Sequence, residues 1–381
     1  MKKTIKLLGI IALVVILALT FVFTACSDSD EDDDGDTNNG SQTGDNNSGN
    51  NGNNSGNNSS GEQPRSGYCH ISGIAYGNGM FVAVGGPIPG EESIAYSTDG
   101  ITWTASADHP FGRGVSNSVA YGNGKFVAVG TDVYNKGGII ASSTDGITWT
   151  EVMTTVYKYY DIVWGADKFV IGGGQGSGKG MAYSSDGVTW TAVKDTGAID
   201  SAIDKIAWGD GKFIVGTTNI AYSTDGIKWT EAANNPFGLA GDWGNFSSGS
   251  IHDFAYGNGK YVAVGSYGRS TYPPDKNSQI AYSTDANNWT VVEDSVFGKN
   301  YVNAITWGNG MFIAGGTSGG KMAYSTDGVT WTEIADSTFD INGFYDIVWG
   351  NDKFVAVGTR SRMAYSYDGI TWTAVMDSAF P

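Results

Sequence analysis

Ile94-Ala95-Tyr96-Ser97-Thr98-Asp99-Gly100-Ile101-Thr102-Trp103-Thr104 decides the fold, because the chain repeats this stretch with small changes seven times. Its tryptophan recurs as Trp103, Trp149, Trp190, Trp229, Trp289, Trp331 and Trp372, at spacings of 46, 41, 39, 60, 42 and 41 residues. A unit of about 45 residues cannot bury its own apolar face, so successive copies must stack into a ring or a solenoid.

Working outward, each copy is preceded by an apolar run ending in Tyr or Trp, a tight turn such as Gly77-Asn78-Gly79, and a second run of the Lys/Met-Phe-Val-Ala-Val-Gly kind. The Asn-Gly turns supply residues that tolerate positive φ, as a two-residue hairpin requires. In two units the same place holds Ala166-Asp167 and Asn351-Asp352. The second turn places Ser and Asp side-chain oxygens where they bond backbone N–H groups, followed by Gly for a left-handed residue. Asp99, Asp145, Asp186, Asp225, Asp285, Asp327 and Asp368 are therefore expected to be structural. The fifth copy, Asp285-Ala286-Asn287-Asn288, lacks the Gly and is expected to turn more loosely. The Trp that follows is large enough to fill the wedge between adjacent sheets. The expectation is an all-β, monomeric, seven-bladed β-propeller with about four antiparallel strands per blade over residues 67–381.

These boxes resemble the Asp-box, or bacterial neuraminidase repeat, whose motif is Ser-x-Asp-x-Gly-x-Thr-Trp. Here Asp99 and Trp103 are four apart against five in that family, so the likeness is to a shortened relative. The resemblance implies the propeller fold but no one activity, since the family includes sialidases, reducing-end glucanases, sortilin-type receptors and photosystem assembly factors. Sialidase is disfavoured, because the Arg triad and the Arg-Ile-Pro motif of that group have no match among Arg113, Arg269, Arg360 and Arg362.

Composition agrees. Gly is 57 of 381 residues, charged residues are 16% and aromatics 13%, which excludes a coiled coil, collagen and a wholly disordered chain. A net charge of -17 argues against nucleic acid as a partner. Lys2, Lys3 and Lys6 precede an apolar run from Leu7 to Phe23, the order of a bacterial export signal over residues 1–25. Phe23-Thr24-Ala25-Cys26 resembles the lipobox of bacterial lipoproteins, which implies lipidation of Cys26; a retained membrane anchor is the alternative. Either way the remainder is expected outside the cytoplasm, in the cell envelope of a bacterium, with the membrane as one partner. Residues 26–66 read as an acidic and Asn/Gly/Ser-rich disordered tether. Asp30, Asp32, Asp34 and Gly35 copy half of an EF-hand loop, but Ser41 falls where a bidentate carboxylate is needed. Cys69 is then expected to be a buried free thiol, and no Cys/His spacing for a metal exists. No cofactor is expected.

In a four-stranded meander, the two invariant turns share one face, and the variable loops share the other, where function is expected. Two sites compete there. The insertions Gly238–Ser250 and Ser266–Gln279 carry Trp243, Phe246, Tyr267, Arg269 and Tyr272, an aromatic and basic wall suited to a sugar ring or a peptide. The channel mouth is the second. One residue pair per blade is expected to ring it: Ser72-Gly73, Asn117-Ser118, Tyr160-Asp161, Asp204-Lys205, His252-Asp253, Asn303-Ala304 and Tyr345-Asp346. Its carboxylates Asp161, Asp204 and Asp253 admit three readings: an acid/base pair, a hard-cation site, or a hydrated channel lining. No catalytic set stands out. The functional expectation is a lipid-anchored binding or adhesion protein for a glycan or protein; the alternatives are a periplasmic assembly scaffold and a glycan-cleaving hydrolase or lyase.

Overall fold

The computed structural model describes residues 70–380 apart from 87–92, 109, 113, 133–136, 176–177, 200, 218, 238–248, 267–277, 294, 299, 317–319 and 336–342. By contacts the chain divides into Met1–Gln63 and Pro64–Pro381, and every described residue belongs to the second unit. Cys26 and Cys69 lie outside the described residues. Among the described residues no helix is long and apolar enough to cross a membrane.

The alternating and fully apolar runs form 28 strands in seven antiparallel sheets, each of four strands paired in sequence order. Blade 1 consists of Ile71–Gly77, Met80–Gly85, Ile94–Ser97 and Thr104–Ala105. First strands of successive blades pack against one another around the channel, and Phe344–Gly350 of blade 7 meets Ile71–Gly77 of blade 1 to close the ring. Among the described residues no strand is exchanged at that seam. Its only cross-blade backbone pairing among the described residues is the bridge His70 to Thr359. Phe380 packs there with Ile71, Ile74 and Val357, so side chains complete the closure.

Each of the seven apolar clusters lies at a seam rather than inside a blade. The cluster between blades 1 and 2 joins Val82, Val84 and Ile94 to Phe126, Ala128 and Trp149. The box tryptophan of each blade thus packs against the blade before it. A second contact runs from the strand-end glycine to the aromatic of the next blade. A Cβ on Gly165 would lie 2.2 Å from the Trp208 ring, and one on Gly350 would lie 2.2 Å from Tyr76, so only glycine admits the stack.

The turns explain the rest of the repeat. Asn78 and Gly79 both adopt positive φ, 49° and 74°, and so do Ala166 at 45° and Asp167 at 56°. In the box turn of blade 1 the Gly100 N–H donates to Ser97 Oγ at 2.8 Å, while Asp99 Oδ1 accepts from Ile101 at 2.8 Å and Thr102 at 2.7 Å. The fifth box keeps the aspartate bonds of the turn but lacks the N–H to Ser Oγ bond that the glycine makes in the other six boxes. Asp285 Oδ1 accepts from the N–H groups of Asn287 and Asn288 at 2.9 and 2.8 Å, and the Asn288 amide adds a bond to Oδ2 at 2.8 Å. Ala286 takes the glycine's place at φ 64° and is fully buried. The Asn288 amide takes the part that a Thr hydroxyl plays in other boxes, as Thr148 and Thr371 do toward Asp145 and Asp368.

Candidate functional site at the channel mouth

The innermost strands carry an irregularity that the sequence pairs already marked. Register shifts fall between Ile71 and Gly73, Ser116 and Ser118, Ile251 and Asp253, Val302 and Ala304, and Phe344 and Asp346. In blade 3 the same shift lies opposite Gly172 and Gly173, whose partners are Asp161 and Tyr159. In six blades the first residue of the pair is therefore a β-bulge, which re-aims side chains at a strand's end, whereas the pairing of blade 4 starts at Lys205 with no shift.

Three of the second residues fasten one blade to the next. Asp161 Oδ2 accepts from the Ile206 N–H of blade 4 at 2.8 Å, Asp253 Oδ2 from Ile305 of blade 6 at 2.8 Å, and Asp346 Oδ2 from Ile74 of blade 1 at 2.8 Å. Their other oxygens are also engaged. Asp161 Oδ1 accepts from Ser118 Oγ at 2.7 Å, and the Oδ1 atoms of Asp253 and Asp346 cap their own strands through Phe254 and Ile347. Each thus seals a break that the bulge opens in the sheet.

Lys205 stands at the centre of these carboxylates. Burial alone would discharge it, but Asp161, Asp253, Asp346 and Asp204 together hold its ammonium charged well above the ordinary lysine range. Burial pushes the Asp253 carboxyl up, and repulsion from Asp346 adds to this while Lys205 opposes it. Burial likewise raises Asp346, again against Lys205. Asp204 is raised by burial and relieved by Lys205. Among the described residues no group of acidic, His or Cys side chains is arranged to hold a metal ion. The positive charge these aspartates surround is the Lys205 ammonium.

Above this layer the mouth opens into a cavity of about 400 Å³ lined by Ser72, Asp204, Lys205, Ser250, Ile251, His252, Asn303 and Tyr345. Burial holds His252 neutral by lowering its pKa. Its Nδ1 lies 3.0 Å from the Val302 carbonyl oxygen, so the proton sits on Nδ1 and Nε2 accepts from Ser266 Oγ at 3.5 Å. Tyr345 is 37% exposed and stands edge-on to His70, with ring centroids 5.5 Å apart. Tyr301, equally exposed, stands edge-on to His252 at 6.2 Å. A second cleft, of about 430 Å³, lies on the outer flank between blades 3 and 4, with Tyr183, Lys194 and Trp229 in its walls. It is comparable in volume, but its aromatic members belong to the repeat and no set of buried charges converges on it.

The aromatic wall is only located by its stems. Trp243, Phe246, Tyr267, Arg269 and Tyr272 lie outside the described residues. The Gly249 N–H donates to Phe237 O at 3.1 Å, Ser250 pairs with Ser266, and Ser266 pairs with Ser278. Both insertions therefore leave the described blades beside each other, next to a residue of the cavity, Ser250. The sequence pairs had located Asp161, Asp204, Lys205, His252, Asp253 and Asp346; the bracing of Tyr345 by His70 and the place of Ser250 had no signal in the repeat. The seven box aspartates sit on the opposite face in the turns described above.

Fold and site together define a seven-bladed β-propeller with a lysine-centred acidic channel. No family model matches the chain, and no curated protein sequence does. Solved propellers do match in shape. A structure described as YCF48 bound to D1 peptide has a TM-score of 0.54 at 15% identity, over 77% of this chain and 91% of that one. Virginiamycin B lyase from Staphylococcus aureus has a TM-score of 0.50 at 13% identity, over 68% of this chain and 83% of that one. The β-propeller domain of the Trilobed protease from Pyrococcus furiosus, described as having an open velcro topology, has a TM-score of 0.53 at 11% identity, over 83% and 100%. At such identities the likeness establishes the fold alone.

Proposed function

We propose that this chain is a lipid-anchored, extracytoplasmic binding protein that presents the variable face of an Asp-box-like propeller to a glycan or a protein. Cys26 carries the lipid, residues 26–66 tether the propeller to a bacterial envelope membrane, and the ring acts as a monomer. The observation that carries the binding reading is the channel-mouth cavity, where polar and aromatic side chains converge at the end of the molecule bearing the variable loops. The solved neighbours support a binding propeller at the level of fold, since they include a peptide-bound protein.

The glycan-cleaving alternative is the weaker one. A hydrolase needs one carboxylate free to give a proton and another free to attack or to activate water. Both oxygens of Asp161, Asp253 and Asp346 are occupied by donors of the protein itself, and Asp204 alone is exposed.

A glycan array and a pull-down from envelope extract, both with the full chain, test the reading. Capture is expected to weaken on Trp243→Ala by about 1–3 kcal/mol if the wall takes part, with melting temperature nearly unchanged. Retention of nothing by either route contradicts it. Anchoring is tested by Cys26→Ser, which should abolish labelling by a radioactive fatty acid and leave an unprocessed precursor.

A further inference from the structure

Most polar side chains of this propeller are spent on its own turns and seams, and the channel mouth is where that stops. Among the described residues, Lys205 Nζ, the Asp204 carboxylate and the hydroxyls of Ser72, Ser250 and Tyr345 have no hydrogen-bond partner, yet all five line one cavity of about 400 Å³. Protein encloses the Lys205 side chain, and the accessibility it keeps is that of the channel lumen. An ammonium that faces the lumen with no bonded protein acceptor is open to a ligand acceptor.

The choice of acceptor is narrow. An anion entering to meet Lys205 would also face Asp161, Asp204, Asp253 and Asp346. A cation would meet the Lys205 charge already placed among those carboxylates. A neutral polyol escapes both penalties, because each hydroxyl accepts from the ammonium through its lone pairs and donates to a carboxylate through its proton. Asp204 and Lys205 are adjacent in the chain and electrostatically coupled, so neighbouring hydroxyls of one ring can bridge them. His252 Nε2 accepts from Ser266 Oγ at 3.5 Å, a long contact that a ligand hydroxyl can replace. Tyr345, braced by His70, offers aromatic surface in the cavity for the apolar C–H face of a sugar.

We infer that the channel mouth binds a neutral saccharide end-on, with vicinal hydroxyls bridging Lys205 and Asp204 and the ring against Tyr345. This rests on the binding-protein reading and names the ligand class for one of its two sites.

The test uses the full chain with glucose, galactose and N-acetylglucosamine as neutral probes, and glucosamine and glucuronate as charged ones, by saturation-transfer NMR and calorimetry. Lys205 is a poor position to change, because its loss strands the buried carboxylates. Asp204→Ala and Tyr345→Ala are the variants of choice, since both side chains are exposed. A neutral sugar should bind, each variant should weaken it by about tenfold or more at unchanged melting temperature, and the charged sugars should bind less well. Capture of a glycan or protein that depends on Trp243 but not on Asp204 or Tyr345 would overturn this inference and leave the binding-protein reading standing. Tighter binding of glucosamine or glucuronate would overturn it through the charge argument. Failure of every probe and every capture would remove both.

Discussion

The Ser-x-Asp box reads as a local device, and its energetics are those of a carboxylate answering backbone donors. Asp225 Oδ1 accepts from Ile227 and Lys228, each at 2.8 Å, and from Ser223 Oγ at 3.0 Å. Asp225→Ala should cost about 1–2 kcal/mol in urea unfolding while leaving ligand capture intact. The same bonds depress the box carboxyls, with Asp368 held down to about 2, chiefly by the Thr371 N–H. A depressed acid contributes stability that is present above its unfolded pKa of about 4 and is lost as pH falls through the folded value. Unfolding midpoints should therefore drop steeply below pH ~4, and Asp368→Asn should soften that drop. Ala166 is a different case: it holds φ 45° where most blades have Asn or Asp followed by Gly. Ala166→Gly should raise stability by about 1 kcal/mol, read as a higher melting temperature. The fifth box shows where the sequence misleads. Its Asn288 reads as a departure, whereas in the folded turn its amide bonds Asp285 Oδ2 as the Thr hydroxyl does in other boxes.

Blades hold together through contacts between copies, and these were only half legible. The tryptophans announced the wedge because a large apolar residue recurring once per unit has nowhere else to go. The glycine before each hairpin reads as part of the turn, yet its further duty is to lie flat against the next blade's aromatic ring. Gly350→Ala should test the seam that closes the circle. Its Cβ would meet Tyr76 at 2.2 Å, and displacing that ring should cost about 1–3 kcal/mol, with urea midpoints lowered and blade 1 amides exchanging faster. The aspartate fasteners were located, but the three readings open to them did not include a bond from one blade to the next. Their partners, Ile206, Ile305 and Ile74, belong to other repeats, and no pattern within a repeat shows that a neighbour's N–H needs an acceptor.

Across the whole ring, one face is uniform and the other is particular, and the channel links them through a charge balance. Lys205 comes from blade 4, whereas Asp161, Asp253 and Asp346 come from blades 3, 5 and 7, so only closure brings them together. Two of these carboxyls are raised by burial. A raised acid gives a penalty that is absent below its unfolded pKa of about 4 and grows as pH rises through the folded value. Stability should thus decline gently from pH ~4 toward neutrality, opposite in sign to the box aspartates. Asp253→Asn should flatten that decline and lower stability by about 1–2 kcal/mol near pH ~4, with a smaller loss toward neutrality, since an amide accepts only one of the two N–H groups now served. The central claim is a division of labour: repeats build the ring, and the mouth binds. Amide hydrogen exchange of the full chain, with and without the ligand that the array or pull-down identifies, tests it most directly. The account predicts added protection at Ser72, Asp204–Lys205, Ser250–His252, Asn303 and Tyr345, with the box turns near Asp99 and its copies unchanged; protection confined to those box turns would contradict it.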